Sequence, residues 1–187
     1  MYVTNAKEDP QENHFWRLNF DGAPNALGNG IGAVLVSPNG DYHPFTSKLD
    51  FDCTSNMAEY EACIMGIRAA IERKIKTLEV YGDSALVIYQ LRGEWKIRDP
   101  KLIRYRRLVL ELIEEFDNIT FCYLPWEENQ MADALATLAS MIKDLSPDLG
   151  IRGSRRLKGN FSPFLAAVDG GAGAGDRRPA RWPVTSR

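Results

Sequence analysis

The stretch TLEVYGDSALVIYQL, residues 77–91, holds a strand, a sharp turn and a helix in fifteen residues. Residues 77–81 read as a short strand that ends at Gly82-Asp83-Ser84. Residues 85–91 continue as a helix, with Asp83 or Ser84 as its N-cap. Upstream, residues 15–21 alternate, with Trp16, Leu18 and Phe20 on one face, and read as a first strand. Gly22-Ala23-Pro24-Asn25 and Gly28-Asn29-Gly30 supply turn chemistry. Residues 31–36 form a second strand, Ser37-Pro38-Asn39-Gly40 a tight turn, and residues 42–48 a third strand, an antiparallel meander. Between meander and quoted stretch, Tyr60, Cys63, Ile64, Ile67, Ala70 and Ile71 recur at helical spacing. They predict a helix of about five turns, with Ser55 at the cap position.

Downstream, Asp99-Pro100 pairs a capping residue with proline at the first helical position. The helix it opens carries Leu102, Ile103, Leu108, Leu112, Ile113 and Phe116. Residues 119–124 are a fifth strand, stopped by Pro125, and residues 127–142 a last helix rich in Ala, Leu and Met. The order βββ-α-β-α-α-β-α predicts an α/β fold, a mixed sheet with helices on both faces.

Composition sets the outer bounds. Apolar residues are 44% and charged residues 26% of 187, ordinary for a globular fold. No run approaches the roughly 18–20 apolar residues of a membrane helix, so no membrane partner is expected. The polar N-terminus, with Glu8, Asp9 and Glu12, reads as neither signal nor transit peptide. The expected location is intracellular, cytoplasmic or nuclear, without secretion. Cys53, Cys63 and Cys122 are odd in number and form no CxxC pair, which points to free buried thiols and away from zinc. Any metal should then be a hard cation held by oxygen. The organisation expected is a flexible segment at 1–13, a folded domain at 14–146 and a disordered basic tail at 147–187, rich in Gly, Arg and Pro.

Four acidic residues stand at marked places: Asp21 at a strand end, Glu59 early in the first long helix, Asp83 at the next strand end, and Asp133 in an apolar helix. Singly, Asp21 reads as a turn former, Glu59 as an exposed helix residue and Asp83 as an N-cap. Asp133 resists so plain a reading, because an unpaired carboxylate among Ala and Leu costs several kcal/mol.

Taken together, the stretches Asn19-Phe20-Asp21-Gly22-Ala23, Asn56-Met57-Ala58-Glu59-Tyr60-Glu61-Ala62, Val80-Tyr81-Gly82-Asp83-Ser84 and Asn129-Gln130-Met131-Ala132-Asp133-Ala134-Leu135-Ala136 resemble the type 1 ribonuclease H family, in family order. Cys53-Thr54-Ser55-Asn56 and Leu124-Pro125-Trp126-Glu127-Glu128-Asn129 look most like the ribonuclease H domains of plant gypsy-class retroelement polyproteins. The resemblance implies a ribonuclease H-like five-stranded mixed sheet, three antiparallel strands followed by two parallel ones. It implies Asp21, Glu59, Asp83 and Asp133 as catalytic and metal-binding residues. Like charges so close need cations, and an all-oxygen donor set selects Mg²⁺, with Mn²⁺ as substitute. Two such ions would lie about 3.5–4 Å apart. The implied reaction is hydrolysis of the RNA strand of an RNA/DNA hybrid, leaving 3′-hydroxyl and 5′-phosphate ends. In this analogy Asp21 bridges the ions, Glu59 and Asp83 hold the one at the leaving oxygen, and Asp133 helps hold the one that activates water.

Net charge hides where substrate would bind. Residues 1–149 carry 15 Lys and Arg against 23 Asp and Glu, whereas the last 38 carry 8 against 2. Within the acidic part, residues 92–107 hold seven cations and only Glu94 and Asp99 as anions. Lys96, Arg98, Arg104 and Arg106 are the expected phosphate contacts there. By the family pattern Asn56, with Ser55 beside it, lies near the RNA strand, and Thr54 stands ready to donate to a DNA phosphate. The equally weighted alternative has Ser55 as a plain cap and Asn56 exposed.

Two departures from the family pattern count against full activity. The loop before Asp133 has no histidine, and the 49 residues between Asp83 and Asp133 are too few for a basic insertion that some members carry. Glu127 or Glu128 stands in that loop, where each also suits a helix N-terminus. The alternative function is a weak or inactive nucleic-acid-binding domain of retroelement origin. The partners expected are the hybrid and a reverse transcriptase domain, and the oligomeric state expected is a monomer.

Overall fold

The computed structural model describes residues 15–26 and 28–141; the expected 1–13 segment and 147–187 tail lie outside the described residues. Strands β1 (Trp16–Asn25), β2 (Gly28–Val36) and β3 (Tyr42–Leu49) precede helix α1 (Ser55–Glu72). Strand β4 (Thr77–Gly82) leads to α2 (Ala85–Leu91) and α3 (Pro100–Leu112), then β5 (Asn118–Tyr123) and α4 (Gln130–Met141). The sheet order is β3-β2-β1-β4-β5. β1 pairs antiparallel with β2 and β2 with β3, while β1–β4 and β4–β5 are parallel. The expected mixed sheet is therefore present.

Its two faces are built differently. Leu18, Phe20, Ile31, Ala33 and Leu35 point to one side and form a core with Tyr60, Ile64 and Ile67 of α1, Ile88 of α2 and Tyr105 of α3. Two buried polar bonds tie the helices of that layer together. The Tyr60 hydroxyl donates to Gln90 at 2.9 Å, and the Tyr105 hydroxyl donates to the Glu61 carboxylate at 2.6 Å. On the other side α4 lies almost on the backbone. A Cβ at Gly32 would stand 2.6 Å from the Ala132 oxygen, and one at Gly30 would collide with the Ala136 oxygen.

This contact corrects the turn expected at residues 22–25 and 28–30. Both runs are strand, in register from Gly22↔Ile31 to Asn25↔Gly28. Gly22 and Gly30 serve close helix packing, whereas Gly28, at φ 148° beside the hairpin turn, meets the turn geometry expected of it. Two helix starts differ, those of α1 and α4. Thr54, not Ser55, caps α1, its Oγ1 accepting from the Met57 amide at 3.3 Å. Ser84 caps α2. α4 starts at Gln130, after a 3₁₀ turn at Trp126–Glu128. Asp99 caps α3 as expected, accepting from the Lys101 amide at 2.9 Å. All three cysteines are free as expected, but only Cys63 is buried, with Cys53 and Cys122 partly exposed.

Candidate active site

The parallel pairing of β1 with β4 decides where the acidic residues meet. Phe20 is in register with Gly82, so Asp21 and Asp83 follow at the same end of the sheet. α1 reaches that end because Gly22 has no side chain. A Cβ there would lie 2.5 Å from the Ala58 carbonyl carbon and 2.7 Å from the Glu59 nitrogen. Glu59 is thereby pressed against Asp21. One carboxylate oxygen from each of Asp21, Glu59 and Asp83 lies within 4.8 Å of the others.

The cluster is deep. Asp21 is 5% exposed and Glu59 8% exposed, so the reading of Glu59 as a surface residue fails. Burial, followed by repulsion from Asp21, pushes the Glu59 carboxyl up to about 10. Burial likewise raises Asp21 to about 7, offset by a bond from Glu59 and reinforced by the Asp83 charge. Of the pair, Glu59 is the more strongly raised, so it holds a proton more tightly than an exposed carboxyl would. Asp83 is raised by burial, against a lowering bond from Asn129.

Asp133 lies at the edge of the cluster. It is half-buried on α4 and outside the group of three, but its side chain bonds that of Asp21, and its charge raises both Asp21 and Asp83. The structure thus brings three of the four expected carboxylates to one point, with the fourth bonded to Asp21 at its edge.

One polar residue escaped the sequence reading. Asn129 is 1% exposed, donates to the Phe20 carbonyl at 2.9 Å and accepts from Asn19 at 3.3 Å. It also bonds the Asp83 carboxylate. One side chain therefore ties β1, Asp83 and the start of α4 together. Its signal was its place four residues before Asp133, but its burial cannot be seen in a string of letters.

A divalent cation fits this cluster. The Glu59 Oε2 atom is buried with no hydrogen-bond partner among the described residues. Such an atom costs about 1–3 kcal/mol or more unless something else meets it. Converging carboxylate oxygens without sulfur or imidazole are the donor set of a hard cation.

The expected nucleic-acid residues are scattered. Thr54 and Ser55 are exposed and Asn56 half-buried at the first turn of α1. The Thr54 oxygen accepts within its cap, which leaves its O–H free to donate outward. Lys96 and Arg106 line a cavity of about 520 Å³ with Trp95, Ile97, Ile103 and Arg107. Arg98 and Arg104 do not line it. Arg106 is fixed by a 2.8 Å bond from its Nε to the Gln90 carbonyl. Tyr89 packs on Trp95 with ring centroids 5.0 Å apart.

Fold and site define a carboxylate-cluster domain of the ribonuclease H type. Known proteins agree. The reverse transcriptase-like family matches residues 19–139. Ribonuclease HI of Halobacterium salinarum is 39% identical over 124 residues, 64% of this chain and 61% of that protein. The crystal structure of RNase H1 from Halobacterium salinarum NRC-1 superposes with a TM-score of 0.64 at 36% identity, covering 67% of this chain and 96% of that one. LC11-RNase H1, solved in complex with an RNA/DNA hybrid, gives a TM-score of 0.60 at 26% identity, over 66% and 95%. The chain belongs to the ribonuclease H family. Among the described residues no helix is long and apolar enough to cross a membrane.

Proposed function

We propose that the domain is an endonuclease that hydrolyses the RNA strand of RNA/DNA hybrids with two Mg²⁺ ions, leaving 3′-hydroxyl and 5′-phosphate ends. The observation that carries this reading is the buried, partnerless Oε2 of Glu59, in a cluster where one oxygen each of Asp21, Glu59 and Asp83 lies within 4.8 Å of the others. Asp21, Glu59 and Asp83 would hold the metal, with Asp133 contributing from the rim. When bound, the ions polarise the scissile phosphate and acidify a water.

The protein's own part is positioning and charge. Glu59 must release its proton for the cluster to take a cation. Asn129 holds Asp83 in place through the same amide that fixes the strand. Thr54, Ser55 and Asn56 at the α1 terminus meet the hybrid backbone, and Lys96 and Arg106, with Arg98 and Arg104 further out, meet phosphates. Family members read hybrids by 2′-hydroxyls and groove shape, which these polar groups suit. The motifs at residues 53–56 and 124–129 support a gypsy-class retroelement polyprotein as the source, with a reverse transcriptase domain as partner.

The test is an assay of labelled RNA/DNA hybrid with Mg²⁺ beside single-stranded RNA and duplex DNA. Cleavage of the hybrid alone, abolished by Asp83→Asn, is expected. Tight binding without cleavage would instead favour the non-catalytic alternative, which the histidine-free loop at residues 124–129 supports.

A further inference from the structure

The outer face of α4 is apolar and uncovered among the described residues. Met131, Leu138 and Met141 are 49%, 60% and 51% exposed, and Ala134 is exposed between them. Positions 131, 134, 138 and 141 fall on one helical stripe. α4 already buries a different stripe, Ala132, Ala136 and Ala139. The exposed one is not needed to pack the domain, and Asp133 is not part of it.

The sequence continues for 46 residues past Met141. Its densest apolar run is at 161–168, with Phe161, Phe164, Leu165 and Val168. Arg152, Arg155, Arg156 and Lys158 come just before it. Residues 124–141 hold no lysine or arginine, but Glu127 and Glu128 lie exposed at the head of α4. We propose that residues 161–168 dock on the α4 stripe, with the preceding cations facing Glu127 and Glu128.

Reach and area select this occupant. A connection of about 20 residues can reach roughly 60 Å at full extension, more than the length of α4, about 18 Å. A stable interface between two copies uses about 20–30 residues a side, and this stripe offers four. A tethered segment begins at an effective concentration near millimolar, so a small apolar contact suffices. The inference is independent of the nuclease reading.

Hydrogen–deuterium exchange on the full chain tests it. In Phe164→Asp/Leu165→Asp, the amides of α4 should exchange roughly three- to tenfold faster than in the parent, while those of α1 stay unchanged. Leu138→Lys should deprotect residues 161–168 in return. Equal α4 exchange in parent and tail variant would overturn the proposal. So would protection that rises with protein concentration, which would hand the face to a second copy. The tail substitutions lie outside the described fold, so the domain itself stays intact in the experiment.

Discussion

α1 and α4 each bring a carboxylate to the same end of the sheet, and each is held there by different means. α1 is driven in by backbone contact at Gly22, which buries Glu59 and leaves one of its oxygens without a partner. α4 rests on Gly30 and Gly32 and is tethered by Asn129, which leaves Asp133 half-buried. The difference shows where electrostatic stress is stored. A charge forced out of water by packing needs a counter-ion, whereas one left at the rim can be solvated.

The sharpest way to break the contrast is to neutralise each carboxylate in turn. Glu59→Gln should lower hybrid cleavage by about 10³-fold or more, the scale of several kcal/mol of lost transition-state stabilisation. Without metal the same variant should be more stable than the parent at alkaline pH, because a buried charge has gone. Asp133→Asn should cost less activity and leave metal-free stability nearly unchanged. Equal losses in both assays would mean that α1 and α4 carry equivalent groups.

pH gives the next largest effect. Asp21 at about 7 and Glu59 at about 10 both sit above their ordinary values of 3.8 and 4.5. The folded state therefore binds more protons than the unfolded chain between those limits. This contribution to stability is fully present below about pH 4 and is lost as pH rises through about 7 and on toward 10. Its size is on the order of a few kcal/mol. Mg²⁺ favours the charged forms, so the rise in Tm it produces should be larger near pH 8.5 than near pH 5.5. A metal-induced shift that is flat across that range would remove the buried pair from the metal site.

Asn129→Ala probes the tether. It strands the Phe20 carbonyl and the Asp83 carboxylate, and should cost about 1–3 kcal/mol in stability. Because Asn129 acts through Asp83, Mg²⁺ affinity should fall about 10–100-fold, the usual scale for a group that orients a ligand. A loss of stability with unchanged Mg²⁺ affinity would make Asn129 purely structural.

Much of this was readable from the letters, for a physical reason. Strand and helix periods are local, so the element order emerged from spacing alone, and Asp21, Glu59 and Asp83 stood out at element ends. What failed was non-local. The glycines at 22 and 30 look the same whether they serve a turn or the approach of a helix from far along the chain. The depth of Glu59 depends on which strand α1 crosses, and Asn129 matters because β1, 109 residues earlier in sequence, supplies its carbonyl partner.

The cationic surface is the clearest case of composition without geometry, and it yields the smallest effect. Sequence counts Lys96, Arg98, Arg104 and Arg106 alike, but only Lys96 and Arg106 share the cavity, joined by Arg107. Arg106 is braced by Gln90, so its guanidinium is already oriented, while Arg104 is exposed. Arg104→Glu/Arg106→Glu should weaken hybrid binding and flatten the slope of log affinity against log salt by about one to two units. Within the pair Arg106→Glu should account for most of the loss, since a fixed side chain gives up less entropy when it binds a phosphate. Affinity unchanged at low salt would detach this face from the substrate, and equal single effects would show that net charge there matters more than its placement.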